Sequence, residues 1–219
     1  MPTIRATALV TLLATAACGG AHGQAVPVPH DSLPTAGDQL LPAGYGRLSQ
    51  EDISLSLGAG DLEIRFLPLE ERVLRLLTSD AYRAYHDLRD SKRAQIDSVA
   101  GRVGAAAPGL VLVTFFSARD GVRFEPQDLA INATGQQFRA VGVVPMSANF
   151  SNFQLGTREQ ASAIFIFDRP LPLTQEFTLT YQAWQTDAWR SRLALITREK
   201  DRISTRVRSA VPPDSTARP

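Results

Sequence analysis

Apolar residues recur at two different spacings along the chain, and the change between them divides it. From Asp52, Ile53, Leu55 and Leu57 alternate with serines. A Gly58-Ala-Gly-Asp61 break follows, and then Leu62, Ile64 and Phe66 alternate again. Period-two alternation around a Gly-rich turn predicts a β-hairpin, which Pro68 ends. Between residues 79 and 103 the spacing lengthens. Tyr82, Tyr85, Leu88, Ile96, Val99 and Val103 fall three to four residues apart, with Lys92 interrupting. That predicts one amphipathic helix, capped at Thr78 or Ser79 and ended by Gly101 or Gly104. Leu69–Leu77 fits either a helical lead-in or another strand. From Pro108 to Arg198 short apolar runs return: GLVLVTFFSA, QDLAINAT, QQFRAVGVVP, ASAIFIFD, EFTLTYQAWQ and RLALITR. The runs at Leu110–Phe116 and Ile164–Phe167 are continuously apolar, as in strands covered on both faces. Asn132-Ala-Thr-Gly135 and Asp168-Arg-Pro170 supply turns.

The expected fold is therefore mainly β: an antiparallel sandwich over residues 49–198 with one inserted helix at about 79–103. Before it, residues 19–48 are rich in Gly, Ala and Pro and read as a flexible tether. After it, the tail Glu199–Pro219 carries Lys200, Arg202, Arg206 and Arg208. It reads as a solvated basic terminus, or as a short helix to about Ser209. The chain has 219 residues, enough for one domain with a real core once the ends are set aside.

Residues 1–17 hold one early charge, Arg5, then an apolar run from Ala8 to Ala17. The run is too short to span a bilayer comfortably and suits the core of a signal peptide. Thr15-Ala-Ala17 then precedes Cys18, the single cysteine of the chain. This arrangement resembles the lipobox of bacterial lipoproteins, although that family prefers Leu where Thr15 stands. The resemblance implies that Cys18 is lipidated and becomes the mature N-terminus, so that 18–48 is a lipidated linker. Gly19 rather than Asp follows, which by the same resemblance implies the outer membrane. The alternative is ordinary cleavage further on, for example after Ala25, with Cys18 discarded.

A second resemblance covers residues 124–181. Phe124-Glu-Pro-Gln-Asp-Leu129, Gly135-Gln-Gln-Phe138, Phe153-Gln-Leu155, Ala163-Ile-Phe-Ile-Phe-Asp168 and Phe177-Thr-Leu-Thr-Tyr181 look like the immunoglobulin-like domain of uncharacterised bacterial envelope lipoproteins. It implies a binding or structural module and carries over no catalytic residue.

Chemistry adds little to this. Net charge is +1, so no global field selects nucleic acid. No Gly-rich phosphate loop, nucleophile elbow or metal-ligand spacing occurs, and no cofactor is implied. His22 and His30 fall in the linker, and His86 among charges that predict open solvent. Glu70/Glu71 and Asp87/Asp90 sit beside arginines on an expected solvent face, while Glu125 and Asp128 fit turn capping. Two functions are expected on this basis. The first is a non-enzymatic envelope lipoprotein that binds a protein partner through Phe150 and Phe153 or through the bend at Trp184–Trp189. The second, the alternative, is a hydrolase of envelope polymer that uses carboxylates. For the aromatics the competing reading is that they plug the sandwich ends.

Overall fold

The computed structural model describes residues 40–210. The signal segment 1–17, Cys18, His22, His30 and most of the linker lie outside the described residues.

A single turn of helix, α1 (Gln50–Ile53), is closed by Ser49 and Asp52, whose carboxylate accepts both the backbone N–H and the hydroxyl of Ser49. The predicted hairpin follows as β1 (Leu55–Ala59) and β2 (Leu62–Pro68). The ambiguous stretch 69–77 forms a short helix, α2 (Glu71–Leu74), and then one parallel bridge from Leu77 to Leu48. The predicted helix is two: α3 (Ser79–Ser91) and α4 (Arg93–Val103). They break at Lys92, the residue that interrupts the apolar spacing.

The remaining strands are β3 (Gly109–Ser117), β4 (Val122–Arg123), β5 (Leu129–Ala133), β6 (Gln136–Pro145), β7 (Gln154–Leu155), β8 (Glu159–Phe167), β9 (Thr178–Tyr181) and β10 (Trp184–Thr186). Thr134 and Gly135 make the β5–β6 turn, both with positive φ, the two-residue geometry that suits a hairpin's twist. The run RLALITR is not a strand. It lies inside a 22-residue helix, α5 (Trp189–Ala210), which runs through the expected domain boundary at 198. Trp189, Ile196, Glu199 and Ile203 are its buried stripe, at the spacing of a helix and not of a strand.

The antiparallel β expectation holds. Eight strands pair antiparallel in the order β1-β2-β3-β8-β6-β5-β9-β10, and β4 pairs with β7 apart from them. One continuous sheet stands where two separate ones were expected. The reason lies in β6. Its first part, Gln136 to Arg139, pairs with β5, and from Ala140 it pairs with β8, with a bulge at Val141 just inside that second ladder. A bulge bends its strand and increases the local twist. The sheet curls until its outer strands, β1 and β10, approach each other. Strands β5, β6, β8 and β9 form a Greek key, β9 returning to lie beside β5.

The inside of the curl is the core, with Ile64, Phe66, Val113, Phe115, Phe165 and Leu179 fully buried. The outside is covered only in part. Leu67, Val144, Ile164 and Ile166 are buried there, and α4 lies over β6 and β8. The alternate residues of β3, from Leu110 to Phe116, are only half-buried. The expectation of two covered faces is thus met by β8 and not by β3.

Candidate functional site

The four aromatics predicted as a contact surface divide in two. Phe150 is 3% exposed and Trp189 is fully buried, so neither is a surface residue. Trp189 stacks on Phe177 with ring centroids 4.8 Å apart, and Phe177 meets Phe66 at 6.1 Å. This ring chain pins the start of α5 to the inner core. Phe150 belongs to a second cluster with Phe115, Phe124 and Phe165. Phe153 and Trp184 do reach solvent, at 44% and 48% exposed.

Phe153 touches this cluster directly, and Trp184 is placed beside it through strand pairing. Phe153 meets Phe124 edge-on at 6.0 Å, Phe124 stacks on Phe115 at 4.5 Å, and Phe115 meets Tyr181 at 6.1 Å. Tyr181 pairs across the hairpin with Trp184, and cross-strand partners share a face. The Tyr181 hydroxyl accepts the backbone N–H of Glu125 at 2.9 Å. Gln182 in the hairpin turn donates to Asp128. Phe153 itself has a left-handed backbone, φ 53°, which is costly for a bulky residue and persists only where its surroundings hold it.

Of the carboxylates of the alternative reading, Asp87 and Asp90 are exposed as expected, while Glu70 and Glu71 are not on a solvent face. Glu71 is largely buried. Its Oε1 accepts from Arg75 at 2.7 Å and from the Tyr82 hydroxyl at 2.8 Å. Arg89 Nη2 is 2.9 Å from Oε2, an ion pair without hydrogen-bond alignment. Burial alone would raise the Glu71 pKa, but Arg75, Tyr82 and Arg89 outweigh it and hold the group below its ordinary value. His86 is likewise half-buried, not solvated. It stacks on Tyr82, and its Nε2 lies 3.4 Å from Asp90. Glu70 accepts the N–H of Leu171 at 2.8 Å, and burial pushes its pKa up against that bond and against Arg72. A cavity of about 270 Å³ borders Glu70, Glu71 and Arg89. The polar groups at its wall are already committed to one another.

The expected solvated tail instead contains a buried carboxylate. Arg202 grips Glu199 with two parallel bonds of 2.7 and 2.8 Å, and the Arg47 N–H donates to the same group at 2.8 Å. Arg202 also donates to the Tyr45 carbonyl, and the Arg206 guanidinium lies 5.6 Å from the Tyr45 ring centre. Glu71 was expected on a solvent face, and Glu199 did not stand out in the sequence. The signal available for Glu199 was its place in the stripe Trp189, Ile196, Ile203.

No family model matches the chain, and neither a curated protein nor a solved structure does.

Proposed function

We propose that the chain is an exported envelope lipoprotein, anchored to the outer membrane through Cys18, that acts by non-enzymatic contact with another envelope protein. The observation that supports this best is the pair Phe153 and Trp184. Both rings are about half exposed, Phe153 against a buried aromatic cluster and Trp184 across the hairpin from Tyr181, a member of that cluster. Rigid aromatics over a packed base are the side chains that contribute most at protein interfaces. The commitment of Glu70, Glu71 and Glu199 to structural partners supports a binding role over carboxylate hydrolysis. The Greek key over β5–β9 supports the immunoglobulin-like reading of residues 124–181, with the bent strand β6 turning one half of a sandwich into the other.

Three measurements test the proposal. Cys18→Ala should release the protein from the membrane fraction; unchanged retention and mature mass would remove the anchor. A Phe153→Ser/Trp184→Ser double variant should lose the envelope protein that co-purifies with wild type while keeping its melting temperature. Turnover on peptidoglycan, polysaccharide or ester that a single Asp or Glu replacement abolishes would overturn the non-enzymatic reading.

A further inference from the structure

Among the described residues, the helices cover only part of the sheet's outer face. The part they leave open includes two adjacent cross-strand rows. One row runs Gly58–Glu63–Phe116–Gln160, and the next runs Arg65–Thr114–Ser162. Side chains opposite each other in such rows point to the same side of the sheet. All of them but Ser162 line two contiguous hollows of about 300 and 370 Å³ that share Glu63 and Phe116. Both volumes fall within the range of small-molecule sites.

Phe116 is the unusual member. It is half-buried, and its ring meets no other ring among the described residues, although its neighbour Phe115 contacts four. It stands as a single apolar plate among polar groups. Thr114 and Ser162 share a hydrogen bond of 2.9 Å. Glu63 and Arg65 lie 3.8 Å apart, each about half exposed. Asp61, beside the second hollow, pairs with Arg119 at 3.3 Å. The acids and bases therefore cancel, and the face has no net field to attract an anionic polymer. Gly58 leaves space at one end; a methyl group built there would meet nothing within 4 Å.

We propose that this face binds a short neutral oligosaccharide. A sugar offers an apolar C–H face for a ring such as Phe116 and a rim of hydroxyls that both donate and accept. The rows supply matching chemistry: a carboxylate that accepts, a guanidinium that donates, and an amide and hydroxyls that do both. Four strands at their usual spacing give a groove about 14 Å across, long enough for an oligomer and too long for one ring. The groove is separate from the Phe153–Trp184 rim and needs neither the lipid anchor nor a protein partner.

The test uses the full chain carrying Cys18→Ser, so that lipidation plays no part. Calorimetric titrations with maltohexaose, cellohexaose and the hexamer of N-acetylglucosamine should show binding of at least one. Phe116→Ala should weaken that binding about tenfold, and Phe116→Trp should retain it. Glu63→Gln should weaken it as well, which decides the matter should Phe116→Ala fail to fold. Phe153→Ala should leave it unchanged. No binding to any of the three, or equal binding by wild type and Glu63→Gln together with Phe116→Ala, would overturn the proposal. So would a dimer in solution that Phe116→Ala dissolves, which would assign the face to a second copy of the chain.

Discussion

Val99 of α4 occupies the space that a side chain at residue 142 would need. A methyl group built on Gly142 would overlap Val99 Cγ1. This contact seats the helix on the sheet beside the bulge of β6. Gly142→Ala should therefore cost about 1–3 kcal/mol by overpacking. Combining it with Val99→Ala should recover part of that loss, and a double-mutant cycle by urea unfolding would measure the coupling. Simple addition of the two single effects would mean that α4 is seated elsewhere.

The two tryptophans should differ sharply. Trp189→Ala removes a fully buried ring from its stack on Phe177 and should cost about 3–5 kcal/mol. Trp184→Ala, at an exposed hairpin position, should change stability by no more than about 0.5 kcal/mol. Trp189→Phe should fall between them, since Trp189 Nε1–H has no acceptor among the described residues. Thermal unfolding of the three variants decides it.

A chain that stops at Arg198 should be less stable, because the boundary cuts α5. It loses buried Ile203, worth about 1.5–3 kcal/mol, and the Glu199 bonds to Arg47 and Arg202, worth about 1 kcal/mol or more each. Limited proteolysis should cut this truncated chain near residues 40–48 well before the full one. Equal resistance would make the second half of α5 dispensable.

Glu199 and Glu70 should give opposite pH signatures. Arg202, opposed by burial, lowers the Glu199 pKa from its ordinary 4.5. A lowered acid adds stability that is present above its unfolded pKa and is lost as pH falls through the folded one. Glu199→Gln should therefore flatten the acid limb of a stability–pH curve below about pH 4.5. Glu70 is raised by burial, so its stability is present below the unfolded pKa and is lost as pH rises through the folded one. Glu70→Gln should gain at pH 7 relative to wild type and gain nothing at pH 4. Urea midpoints across pH 3–8 would check both signs.

Much of the sheet was legible because alternation survives in single strands. The runs at 55–59, 62–68, 129–133 and 136–145 are strands with close to their expected bounds. The misread stretch was RLALITR, where Leu193 and Leu195 alternate locally. Seen over 189–203, the apolar positions follow the helical period instead, and a seven-residue window is too short to separate the two. The burial of Phe150 and Trp189 and the exposure of Phe153 and Trp184 could not be read from spacing. All four sit among small and polar residues, and partners distant in the chain decide which ring is covered. The same holds for Glu70, whose partner Leu171 lies 101 residues away. The single curled sheet depends on one unpaired residue, Val141, inside an otherwise regular run.

The segment Tyr45–Leu48 is fastened to the last helix by Arg47 to Glu199 and by Arg202 to the Tyr45 carbonyl, and to the loop before α3 by Leu48 to Leu76. A pull applied ahead of residue 40 would load these clasps before it reached any strand of the sheet. The molecule would give way by peeling its C-terminal helix from its N-terminal lead, with the ladder of β1 and β2 still intact. Under such a pull the chain would thus fail first at a clasp that can re-form, and its strands would be spared.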